Sequence, residues 1–312
     1  MAGLGRRIVR LGLPVLGSVA AFALLLGRID FSAVLGHVDG RTGALLVPAV
    51  LLYCGLSLWI EARSISGLAR PASSGLGIAT CARMKAASYP LGLLNYALGA
   101  GGLTYLLRRR GGLRIAEAAG IVILIALFDL GILLLLSALG ALMLSTQPVA
   151  LQAGVIVTGV VGIVAGFAFL RTPMSLGALD RIRDLEIFRA ARTTPTRQLQ
   201  VLGLHRLAFV VSFVLVCGAA LVIFDVRVPV GDLVVGVAVV SLVASLPIAV
   251  AGLGTGQVAF VFMFRHWGSP EVLLASNLAL TAALIVTRAG MGLLFAHEFT
   301  REALVAAREG GA

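Results

Sequence analysis

The chain has 312 residues, 59% of them hydrophobic and only 12% charged, a balance outside that of soluble globular domains. A formal charge of +11 invites a nucleic-acid reading, but the basic residues, all but one of them arginine, sit in short connections between apolar runs. That is the positive-inside pattern of membrane proteins, and no basic face, zinc-finger spacing or aromatic RNA-binding motif accompanies it, so nucleic acid is excluded as a partner. Cys54, Cys81 and Cys217 form no CxxC pair and read as small apolar residues.

In chain order, apolar runs at 11–27, 43–60, 115–144, 149–170, 207–224 and 272–296 approach or exceed the roughly 20 residues that cross a bilayer. The first follows Arg6, Arg7 and Arg10 without a clean cleavage site, and is read as an uncleaved span with the N-terminus in the cytoplasm. The connection 61–85, with Arg63, Arg70, Arg83 and Lys85 against one acid, is expected on the cytoplasmic side. So is the stretch 171–202, with six arginines against three acids. Within it, 176–191 reads either as a surface-lying amphipathic helix or as a solvated linker.

Two further apolar stretches are broken rather than continuous. Residues 86–107 contain Pro90, Gly92, Gly99, Gly101 and Gly102, and both flanks are strongly basic, so both should lie on one side. A segment that enters and leaves by one face is a re-entrant hairpin. Residues 233–264 are too long for one span and are interrupted by Pro247, Gly252, Gly254 and Gly256. Each hairpin carries Ser-x-Pro, a glycine cluster and then a glycine 22 or 21 residues past the proline (Gly112, Gly268). Charge parity places them on opposite faces, which predicts an inverted repeat. The expected fold is therefore an all-α polytopic membrane protein, a single transmembrane domain with about six full spans plus two Pro/Gly-broken hairpins.

Ionisable residues within spans carry the strongest functional expectation, because each costs roughly 2.5–3.5 kcal/mol to bury. Asp129 and Arg288 are the two, and pairing them would remove much of that cost. They either line a headgroup path or form a packing-locked ion pair. At the tip of the second hairpin, Gly252, Gly254, Thr255 and Gln257 lack the βαβ context of a dinucleotide site and read as a close-packed turn able to bind a polar headgroup. His297-Glu298 begins like a zinc-protease motif, but position 301 is Arg, and no metal set or nucleophile elbow is visible. No cofactor is expected.

The run Pro247 to Gln257, followed by an apolar arm, Gly268 and a span with Arg288, resembles the lysylphosphatidylglycerol synthase transmembrane (flippase-like) family. Residues 95–129 are similar to it as well, with Gly101, Gly102 and Asp129 falling at its Gly-rich turn and span-embedded acid. The chain departs from that pattern at Gln257, where the family has Glu, and at Leu103, Tyr105, Ile125 and Ala126, where it has charges. The resemblance implies movement of a lipid between leaflets of the cytoplasmic membrane, without enzyme activity. The cargo implied is a modified phospholipid, a polyprenyl-linked lipid or a hopanoid-type lipid. Two other readings remain: an intramembrane enzyme acting on a polyprenyl phosphate, and a non-transporting partner of a membrane glycosyltransferase or synthase.

Overall fold

The structure is a computed structural model that describes residues 39–69, 75–94, 96–143, 171, 185–245 and 255–309. Every regular element among the described residues is helical: α1 (Gly40–Ala69), α2 (Ile78–Leu94), α3 (Tyr96–Gly111), α4 (Ile115–Met143), a 3-10 turn (Glu186–Phe188), α5 (Arg189–Thr193), α6 (Thr196–Ile223), α7 (Val230–Ser245), α8 (Thr255–Phe264) and α9 (Pro270–Glu309). Four stretches are long and apolar enough to cross a membrane: Gly40–Ala69, Ile115–Leu139, Thr196–Ile223 and Pro270–Phe295. They correspond to four of the expected spans. The runs 11–27 and 149–170 lie outside the described residues, as do Gly252 and Gly254.

The apolar runs underestimate the helices. Residues 61–85 are expected as a connection, yet α1 continues to Ala69 and α2 already begins at Ile78. The polar residues that interrupt the apolar pattern are satisfied within the fold. The Ser64 hydroxyl donates to the Ile60 carbonyl at 2.9 Å and Ser66 to the Leu76 carbonyl at 2.9 Å, so neither needs water. Similarly, α6 starts at Thr196, inside the stretch expected as a loop to 202, where Pro195 is pre-set for a helix start. At the other end of α1, Asp39 caps the helix. Its Oδ1 accepts from the Thr42 amide at 2.7 Å and hydroxyl at 2.6 Å, and the hydroxyl bond holds this carboxyl below its usual range.

The chain forms two compact units. One comprises residues 54–129, 162–209 and 285–312, the other residues 1–53, 130–161 and 210–284. In the first unit, α2 and α3 pack against each other over the stretch read as the first hairpin. Gly92 and Gly99 let the two backbones meet: a Cβ on Gly99 would lie 2.6 Å from the Gly92 Cα. Pro90 sits inside α2 without breaking it. It removes the bond that the Ala86 carbonyl would have accepted, and α9 packs there through Gly292, whose absent Cβ would lie 2.4 Å from the Pro90 ring. A core of Ala62, Ile65, Met84, Leu107, Leu113 and Ile121 holds α1 to α4 together. Gly112, with φ +63, turns the chain sharply between α3 and α4. The 3-10 turn lies against α4, because Gly120 leaves room for the Ile187 carbonyl.

In the second unit, α7 and α8 form the other helical pair. Phe264 is fully buried and lies against Gly236 of α7, where a Cβ would come 2.5 Å from the ring. The Phe260 ring meets it at a tilt, with 4.7 Å between centroids. Phe224, Leu274 and Ala275 add a small core between the ends of α6 and α9.

Candidate functional site

The first unit gathers ionisable side chains from five helices. Arg206 of α6 is almost completely buried, with 1% exposure. It holds Asp129 of α4 in a two-pronged bond, Nε to Oδ1 at 2.6 Å and Nη2 to Oδ2 at 2.8 Å. This fork geometry is the strong form of an ion pair. The guanidinium also lies over the Phe209 ring at 4.2 Å, one helical turn on, and its buried Nη1 has no acceptor among the described residues. Asp129 keeps 26% of its side chain exposed, so the pair can be approached from the carboxylate side.

A second group lies in the same unit. Lys85 and Tyr89 are four residues apart and so share one face of α2. Lys85 Nζ sits 2.8 Å from Glu61 Oε1 of α1, and the Tyr89 hydroxyl donates to Glu61 Oε2 at 3.1 Å. Arg288 of α9 lies over the ring of this tyrosine, 5.5 Å from its centroid, and beside the Cys54 thiol. The groups are electrically one set: Glu61 feels Lys85, Arg206 and Arg288, and Asp129 feels Arg206, Glu61 and Lys85. Among the described residues three cations thus face two carboxylates. Tyr89 ties Arg288 to Glu61, and Tyr89→Phe, which keeps the ring and loses the bond to a carboxylate, is expected to cost about 1.5–3 kcal/mol. A thermal denaturation of the purified protein measures it.

Of the two readings open for Asp129 and Arg288, an ion pair between them is not what forms at Asp129. Asp129 takes Arg206, because α6 begins early enough to carry that arginine alongside α4, where a Cβ on Gly203 would lie 3.5 Å from the Phe128 ring. Glu61, Lys85 and Arg206 escape a reading of the apolar runs, because each falls one residue outside one: after Ile60, before Ala86 and before Leu207. A helix-start signal at Pro195 was the available clue to Arg206. Thr255 and Gln257 belong to the second unit, in the first turn of α8. The Thr255 hydroxyl is buried with no partner among the described residues, and Gln257 is 2% exposed. Gly101 and Gly102 lie within α3 rather than in a turn, Gly102 against the Leu91 side chain. No group of three His, Cys, Asp or Glu side chains that could hold a metal ion occurs among the described residues. The cluster's chemistry is that of recognition: guanidinium and ammonium donors for oxyanions, and carboxylates for amines.

A family model described as the lysylphosphatidylglycerol synthase TM region matches residues 11–290. The chain belongs to this family. Membership agrees with the four apolar helices and makes the protein a multi-pass membrane protein. The family is defined by a transmembrane region, not by a catalytic domain. No curated protein and no solved structure gives a match.

Proposed function

We propose that the protein is a flippase-like transporter that carries a lipid headgroup between leaflets, with no catalytic activity of its own. The observation behind this reading is the set Glu61, Lys85, Asp129, Arg206 and Arg288, gathered by ion pairs, one shared tyrosine and long-range attraction. Four of the five ride on helices that are otherwise apolar enough to span a membrane. Burying such pairs is weak as a means of stability, since well-packed apolar residues of similar volume do as well or better. Charges inside an apolar bundle therefore favour a polar passenger. The family description supports a lipid as that passenger. The proposed cargo is a modified phospholipid, a polyprenyl-linked lipid or a hopanoid-type lipid in the cytoplasmic membrane, with a glycosyltransferase or synthase as the partner that supplies it. In this reading the α2/α3 and α7/α8 pairs are hairpins that enter and leave by one face, and the N-terminus is cytoplasmic.

The test is leaflet exchange of a tail-labelled phospholipid in vesicles that contain the purified chain. Exchange above that of protein-free vesicles is expected. Glu61→Gln, which weakens the hold on Lys85 and Tyr89, should slow it about ten- to hundred-fold, the equivalent of a charged hydrogen bond of about 1.5–3 kcal/mol. Exchange no faster than in empty vesicles for any labelled lipid would sink the transport reading.

A further inference from the structure

Tyr96 belongs to the first unit and stands beside the Asp129–Arg206 pair. From the turn at Gly112, α3 and α4 run along each other, with Leu103, Leu107, Ala118 and Ile121 in one core. Tyr96 lies 16 residues before that glycine and Asp129 17 residues after it. At about 1.5 Å per helical residue, both are about 25 Å from the turn and so at one depth. The phenol feels the charges of Asp129, Glu61 and Arg206, which agrees with that placement. Tyr96 is also 73% exposed, and 26% of the Asp129 side chain is open. An accessible aromatic hydroxyl and a partly open carboxylate thus share one level of the unit.

Asp129 decides what fits there. An ionised carboxylate only accepts hydrogen bonds, at about four lone-pair positions. Arg206 fills one on each oxygen, so the remaining positions want donors. An anion would meet the carboxylate and be repelled. A cation gains little, because the guanidinium 2.6 Å away already offsets the negative charge. An uncharged hydroxyl suffers neither penalty, and its bond to an ionised acceptor is of the strong kind. Tyr96 adds a hydroxyl that can donate or accept, and a ring face for carbon-bound hydrogens.

We propose that Tyr96 and Asp129 bind an uncharged polyhydroxyl headgroup, a glycosyl or polyol group carried on a lipid. Asp129 accepts from its hydroxyls, and Tyr96 fixes its orientation. The proposal rests on the transport reading and narrows its cargo to headgroups without net charge.

The test is lipid retention. The full chain is placed in phosphatidylcholine vesicles with equal minor amounts of monoglucosyl-diacylglycerol, phosphatidylglycerol and lysyl-phosphatidylglycerol, which are neutral, anionic and net cationic. It is extracted in mild detergent, and the lipid it keeps is quantified by mass spectrometry. The glucosyl lipid should be enriched about ten-fold over each charged lipid. Tyr96→Phe, at an exposed position, should leave the thermal midpoint unchanged and lower the enrichment about three-fold or more. Tyr105→Phe is the control: this tyrosine is also exposed on α3 but lies nine residues nearer the turn, and the enrichment should stay as it is. Equal retention of the three lipids, a preference for either charged one, or an enrichment untouched by Tyr96→Phe would overturn the proposal. So would an equal loss in both tyrosine variants. Displacement of the lipid by millimolar glucose would overturn its lipid part and assign the site to a soluble polyol; resistance supports the lipid. Exchange between leaflets without the headgroup preference fails this proposal alone, and the preference without exchange fails only the transport reading.

Discussion

Arg206→Met is expected to destabilise the protein by about 3–5 kcal/mol, the cost of leaving one member of a buried pair without its partner. The arginine is 1% exposed and makes both of the bonds that hold Asp129. Methionine fills part of the volume and keeps contact with Phe209, so the loss is chiefly electrostatic. The stranded carboxylate then has no cation at bonding distance among the described residues. Combining it with Asp129→Leu should recover most of the loss, because the charge that had become unpaired is gone. A denaturation series on the two single variants and the double variant gives the coupling energy. Additive losses would mean that the two side chains do not act as a pair.

Gly99→Leu is expected to cost about 1–3 kcal/mol or more, since its first side-chain atom has nowhere to go. A Cβ there would stand 2.6 Å from the Gly92 Cα and 3.0 Å from the Gly92 nitrogen. Both neighbours are backbone, so no rotamer change relieves the clash, and α2 must move away from α3. Lys85 and Tyr89 ride on α2, and a shift of that helix draws them off Glu61. The variant should therefore lose lipid movement as well as stability. Gly101→Ala is the control: nothing lies within 4 Å of its Cβ position, and replacing a helical glycine should gain about 0.5–1 kcal/mol. Thermal midpoints of the two variants, read side by side, distinguish a backbone contact from a general dislike of substitution in α3.

Composition and apolar runs reveal the helices and four of the spans because bilayer thickness imposes a length that a sequence displays directly. The α2/α3 pair was legible for the same kind of reason. Pro90 and the glycines at 92 and 99 mark where helices approach or bend, although Pro90 lies within α2 instead of ending it. Helix ends were harder. Ser64 and Ser66 look like loop residues, and only their bonds to the Ile60 and Leu76 carbonyls show how they are accommodated. That error hid most of the polar cluster, because Glu61, Lys85 and Arg206 all fall just beyond the apolar runs. Asp129 was visible, since a lone acid in a span stands out. Its partner was not, because spacing along a chain says nothing about which of 24 arginines a folded bundle brings to it. The family pattern gave no help there: Leu103, Tyr105, Ile125 and Ala126 stand where charges would be expected, and in this chain the charges come from α1, α2 and α6.

The most direct test of the cluster as a working site is the initial rate of leaflet exchange per folded molecule for Asp129→Asn. Asparagine keeps the shape and one acceptor for Arg206, so the fold should survive while the negative charge is lost. Exchange per folded molecule reduced about ten-fold or more is the predicted result, beyond the loss of stability that follows from leaving the buried Arg206 without its counter-charge. Normal exchange per folded molecule, with stability alone reduced, would contradict it and make the Asp129–Arg206 pair a lock that holds α4 to α6.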